Sequence, residues 1–141
     1  MPELWFSIAS YIAMAGWVIL IAGIVLKRPM LRDAAAGRFL PLALSVGYTV
    51  LILAFWWESE GGFDSLANVQ QLFTSPGVAL AGWVHFLAYD LFIGALMARR
   101  IMEANRSRLL LIPILPLCFL FGPIGFVIAQ GILLTSREKT S

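Results

Sequence analysis

From Gly77 to Ala98 the chain reads GVALAGWVHFLAYDLFIGALMA. This run is close to the ~20 residues that a helix needs to cross a hydrocarbon core ~30 Å thick. Three more apolar runs accompany it: Leu4 to Leu26, Phe39 to Trp57, and about Leu109 to Leu134. No strand-like alternation persists in any of them, which argues against a β-barrel. Helices satisfy every backbone group within the segment, as lipid demands. The expected fold is all-α: an integral membrane four-helix bundle, residues 1–141 forming one transmembrane domain, with a short interfacial helix between spans 2 and 3.

Composition agrees. The 141 residues are 60% hydrophobic and 13% charged, against about half and about a quarter in soluble domains. The net charge of +2 comes from short basic blocks beside apolar runs. That is a topology pattern rather than a nucleic-acid footprint. The single cysteine, Cys118, has no internal disulfide partner, and with one histidine no zinc spacing arises. Neither a metal nor a cofactor is expected. The N-terminus carries Glu3 in place of a basic region, and its apolar stretch exceeds that of a signal peptide, so it reads as a retained helix.

The connections set the orientation. The first holds Lys27, Arg28, Arg32 and Arg38 against Asp33, and the third holds Arg99, Arg100, Arg106 and Arg108 against Glu103. The second holds Glu58, Glu60 and Asp64 and no base. The positive-inside rule puts the first and third in the cytoplasm, and the second connection and both termini outside. The mixed tail Arg137-Glu138-Lys139 argues weakly against this. The expected location is a bacterial inner membrane. Trp5, Trp56 and Trp57 fall at outer boundaries, where amphipathic rings prefer to sit. In the second connection Leu66, Val69 and Phe73 share a helical stripe, expected to lie apolar side down on the membrane. Ser75 then serves as N-cap and Pro76 as first helical residue of the third span.

A carboxyl at the centre of a spanning helix costs roughly 2.5 to 3.5 kcal/mol on insertion scales. Seven of the eight acids avoid that cost by lying in loops or tails, and Asp90 does not. His85 shares its span. At 1.5 Å per residue His85 lies ~12 Å and Asp90 ~20 Å below Gly77. Counted inward from Leu134, Pro123 lies ~16 Å deep, between them, where it should kink or open the fourth helix. Ser45, Tyr48 and Thr49 of the second span and Ser10 and Tyr11 of the first fall at similar depths. Five residues separate His85 from Asp90, so they point ~140° apart. His85 shares its face with Tyr89, and Asp90 shares its face with Trp83, Phe86 and Gly94.

Each feature also has a plainer explanation. Asp90 can fix packing through a neighbour's hydroxyl, and His85 can be an interhelical hydrogen bond. Phe121-Gly122-Pro123-Ile124-Gly125 can be a tightly packed kink. Gly16, Gly23, Gly47, Gly82 and Gly94 suit close helix approach. Arg99 and Arg100 mark a boundary, with headgroup binding the alternative.

The block Gly82-Trp83-Val84-His85-Phe86-Leu87-Ala88-Tyr89-Asp90-Leu91-Phe92-Ile93-Gly94 closely resembles the GWxHYLAFDLFxG stretch of the ABA4-like (abscisic acid-deficient 4) membrane family. Residues 65–73 and the FLFGPIG run at 119–125 match the family in the same order. Tyr89 stands for the usual Phe and Phe86 for the usual Tyr. Plant members are implicated in forming neoxanthin from violaxanthin. The resemblance therefore implies a carotenoid or similar lipid-soluble isoprenoid as ligand, bound or isomerised without redox change. Epoxide opening of that type needs an acid and a base but no cofactor. Asp90 is the candidate acid, with His85 or Tyr48 as partner. Trp83, Phe86, Tyr89, Phe119, Phe121, Gly122 and Pro123 are the candidate ligand-binding residues. Membrane lipids and a second copy in a homo-oligomer are the other expected partners, nucleic acid is not. The competing readings are an accessory subunit of a membrane complex and a small proton- or ion-coupled transporter component.

Overall fold

The computed structural model describes residues 1–138, so Lys139 of the mixed tail lies outside the described residues. Every regular element among them is helical. Three helices are long and apolar enough to cross a membrane: α1 (Pro2–Val25), α2 (Met30–Glu58) and α4 (Pro76–Glu103). A short α3 (Leu66–Leu72) links α2 to α4. Two shorter apolar helices follow, α5 (Leu111–Leu120) and α6 (Gly122–Glu138).

The long helices run further than hydropathy alone indicates. α2 begins inside the basic connection, with wide turns over Met30–Phe39 in which the Leu40 N–H reaches back five residues to the Ala35 carbonyl. The chain reverses before it at Lys27, whose φ of +53° is rarely adopted outside glycine. The reversal is tight because Gly23 lets the backbone of Arg32 approach: a Cβ there would lie 2.6 Å from the Arg32 nitrogen. α4 is opened by Pro76 at its first position, as expected, although the Ser75 hydroxyl makes no cap hydrogen bond. Ser65 is the side-chain cap in this region, accepting from the Asn68 N–H at the start of α3. The buried anchor of α3 is Leu72, while Leu66 and Phe73 are exposed.

α4 is the central helix. Its buried positions face α1 and α2 in two clusters. Nearer the acidic connection, Ala9, Ala13 and Leu44 pack on Leu80, Val84, Leu87 and Ala88. Nearer the basic connections, Trp17, Leu20 and Ile24 pack on Leu91, Ala95, Ala98 and Ile101, joined by Ile114, Cys118 and Ala129. Small residues set the helix distances, with Gly16 against Leu91 and Gly94 against the Trp17 ring.

The expected fourth span is instead a helical hairpin. α5 starts at the basic end, where Arg108 Nη1 donates to the carbonyls of Ile24 (3.0 Å) and Val25 (3.2 Å) at the end of α1. Its ten residues reach only ~15 Å, half of a hydrocarbon core. Helix then stops at Phe121 (φ −143°, ψ 72°). Gly125 packs on Cys118, a Cβ there falling 2.7 Å from the Cys118 nitrogen, which no straight helix allows for residues seven apart. Ile114 and Ala129, also equidistant from the turn, share one buried cluster. Further along, the Gln130 amide reaches Met97 Sδ (3.9 Å), seven residues beyond Asp90 toward the basic end. Since Gly122 abuts Asp90, α6 returns along the half of α4 that α5 has just climbed. The termini of the described chain therefore lie at opposite ends of the bundle, not at the same end. The 26-residue run read as one crossing is two helices, of 10 and 17 residues, packed back on each other across the turn at Phe121.

Candidate functional site

The half-depth hairpin leaves the other half of that α4 flank uncovered. Above the turn at Phe121, Trp83 and Phe86 face outward, both more than one-third exposed. Their rings stack at 5.7 Å, and Phe6 of α1 stacks on Trp83 at 5.4 Å. The Trp83 Nε1–H donates to Ser10 Oγ at 3.0 Å, so this ring is fixed at both its apolar face and its polar edge. Below the aromatic wall, the turn presents exposed Phe121 and Pro123. The aromatic row and the turn thus border a notch part-way along α4, walled by aromatics and floored by the hairpin turn. Irregular backbone within a bilayer requires protein cover or a cavity.

Asp90 stands at the foot of this wall. It lies on the Trp83–Phe86 face, is 5% exposed, and is the only charged residue among the buried ones described. Gly122 is what admits it, since any Cβ there would collide with Asp90 Oδ1. Its Oδ2 has no hydrogen-bond partner among the described residues, an omission that costs about 1–3 kcal/mol at a buried group. The neighbours at hand are Gly122 and the rest of the first turn of α6, where Ile124 and Gly125 already donate their N–H groups to the Phe121 carbonyl and Pro123 has none to offer. Among the described residues no Tyr or Ser hydroxyl reaches the carboxyl.

His85 is elsewhere. It is exposed on another face of α4, its ring 5.4 Å from Tyr48 and 4.9 Å from Tyr89. The structure thus brings His85, Tyr48 and Tyr89 together and seats Gly122 against Asp90, while Trp83 and Phe86 stack on each other along the Asp90 side of α4 and Phe121 and Pro123 lie exposed at the turn beside Gly122. It does not unite the two groups, in keeping with the ~140° between His85 and Asp90. Phe119 belongs to neither surface, packing edge-on against Trp17 at 5.5 Å. Ser45 and Thr49 spend their hydroxyls on carbonyls of their own helix, and Tyr11 points outward. Polar groups from four helices therefore do not converge on one point. The residue missed in the sequence is Phe6, whose position in a uniformly apolar run carries no signal. No group of three or more potential metal ligands occurs among the described residues.

The profile of the ABA4-like family, described as ABA DEFICIENT 4-like, matches residues 4–128. The chain belongs to the ABA4-like family. The match takes in α1 and α2 as well as the block around His85 and Asp90, and it reaches into α6. No curated protein and no solved structure matches this ABA4-like chain. In the ABA4-like chain the FLFGPIG run forms the hairpin turn, and the GWVHFLAYD run forms the aromatic wall and its carboxyl.

Proposed function

We propose that this ABA4-like protein binds a carotenoid or similar isoprenoid taken from the bilayer, in the notch above the hairpin turn. The observation that carries this reading is the stacked row Phe6–Trp83–Phe86 standing over a buried carboxyl with a free oxygen. A polyene packs along such a row, and an oxygenated end group supplies the hydrogen bond that the buried Asp90 Oδ2 lacks once the Gly122 turn shifts to uncover it. Ligand pockets combine mostly apolar lining with few polar groups in this way. Redox-neutral isomerisation of a xanthophyll epoxide is the finer reading. It needs acid and base at one ligand, whereas Asp90 and the His85–Tyr48 pair occupy different faces, so binding is the activity the geometry favours. The bacterial inner membrane, with the basic end in the cytoplasm, is the proposed setting.

The test is pigment binding by protein in lipid nanodiscs, read by tryptophan quenching and by visible absorbance. Violaxanthin should bind, and the Trp83→Leu/Phe86→Leu variant should lose at least about tenfold in affinity. Equal binding by wild type and that variant, or none by wild type, contradicts the reading. Conversion of the bound epoxide, lost in both Asp90→Asn and His85→Ala, would establish the isomerase reading.

A further inference from the structure

A second concavity lies on the opposite side of α4 from the hairpin, between the basic halves of α2 and α4. Its volume is about 420 Å³. Leu42, Ser45, Tyr89 and Phe92 line its length, and Arg38 and Arg99 stand at its basic end. From Arg99 to Ala88 it runs ~16 Å along α4 at 1.5 Å per residue. That is close to one leaflet of a ~30 Å hydrocarbon core. A chain of one-leaflet length thus fits from the charged mouth to the upper end.

The charges at the mouth do not cancel. Asp33 is held by Arg32 through two bonds of 2.6 and 2.7 Å. Arg99 donates its Nε to Glu103 at 2.7 Å, leaving the rest of its guanidinium open. Arg38 is exposed and makes no ion pair or side-chain hydrogen bond among those seen in the described residues. The net result is one uncompensated guanidinium at the boundary end of an apolar groove. Arginine offers a planar fork that suits phosphate.

We propose that this groove holds one acyl chain of an acidic phospholipid whose phosphate sits at Arg38, with the open edge of Arg99 beside it. The site is separate from the notch and does not depend on its ligand. The lipid fills the cleft that the short Ser45 side chain leaves between α2 and α4, and so braces α2, the least buried of the three long helices.

Native mass spectrometry of protein released from nanodiscs tests this, with phosphatidylglycerol and phosphatidylcholine in equal amounts as the probes. Wild type should retain one phosphatidylglycerol per chain, preferred about fivefold, the effect of one cation beside an anionic head. Arg38→Gln should abolish the preference, and Ser45→Phe should expel the lipid while leaving every charge in place. Arg100→Gln, next to Arg99 on α4 but outside the groove, should retain the lipid as wild type does. Should Ser45→Phe fail to fold, Leu42→Trp fills the groove from its outer lip. The proposal is overturned if Arg38→Gln keeps the preference, or if Arg100→Gln loses it equally, which would mean a diffuse boundary charge. Retention of the lipid by the groove-filling variant, or a second protein chain in the groove in place of lipid, also overturns it.

Discussion

Cys118 and Gly125 meet across the hairpin turn so closely that the turn has no room for a methyl group: a Cβ on Gly125 would lie 2.7 Å from the Cys118 nitrogen and 3.1 Å from its Cα. Backbone cannot yield as a side chain can. Gly125→Ala should therefore destabilise by about 1–3 kcal/mol, the cost of overpacking. Gly47→Ala, where an added Cβ meets nothing within 4 Å, should stabilise its helix by roughly 0.5–1 kcal/mol. Denaturant unfolding in mild detergent checks both, and a similar effect for the two substitutions would contradict the close contact.

The buried thiol of Cys118 is itself a reporter. It is inaccessible in the docked hairpin, so its maleimide labelling rate measures opening. Arg108→Gln removes two hydrogen bonds that tie the start of α5 to the end of α1. Each is worth roughly 1 kcal/mol, and labelling should speed up about thirtyfold. An unchanged rate would show that Arg108 does not hold the hairpin.

Asp90→Asn keeps the shape of the side chain but replaces the ionisable carboxyl with an amide. The fold should melt no lower than wild type, because a neutral amide is no costlier to bury than a group that can ionise. Preference for violaxanthin over the hydrocarbon β-carotene should fall by about tenfold, as expected for loss of a buried hydrogen bond. Reduced stability with unchanged preference would make Asp90 a packing residue only.

The link before α3 carries an acid-sensitive contact. Asn68 Nδ2 donates to Asp64 Oδ1 at 2.7 Å and holds that carboxyl below its usual 3.8. A depressed folded value gives stability that is present above 3.8 and lost as pH falls through the folded value. Hydrogen-exchange protection factors over residues 66–72, taken relative to the intrinsic rate at each pH, should therefore fall on acidification, and Asn68→Ala should remove that dependence. An equal acid response in the variant would place the effect elsewhere.

Much of the architecture was legible from hydropathy and charge: three crossings, the connecting helix, and Pro76 at the start of α4. The ends of α2 and α4 were not, because helical pairing continues into polar sequence once a neighbour supports it, as Arg32 does beside Gly23. The hairpin was hidden for a simple reason. A run long enough to cross once is also long enough to climb half way and return, and counting apolar residues cannot separate the two. The separating signal was the small residues Cys118, Gly122 and Gly125 on both sides of Phe121, which read as a kink. On the site, the angle between His85 and Asp90 was computable from their spacing, and it held. The partners of each were not, since they depend on which helix packs where: Tyr48 comes to His85, and Gly122 comes to Asp90.

The half-depth hairpin creates the notch, so its topology is the decisive test. Single cysteines at Glu3, Asp64, Arg106 and Thr135, in a Cys118→Ala background, can be labelled from either side of sealed vesicles with a membrane-impermeant maleimide. Thr135→Cys should label from the same side as Arg106→Cys and opposite to Glu3→Cys and Asp64→Cys. Labelling of Thr135→Cys together with Glu3→Cys and Asp64→Cys would make the last segment a full crossing, and the notch would not exist.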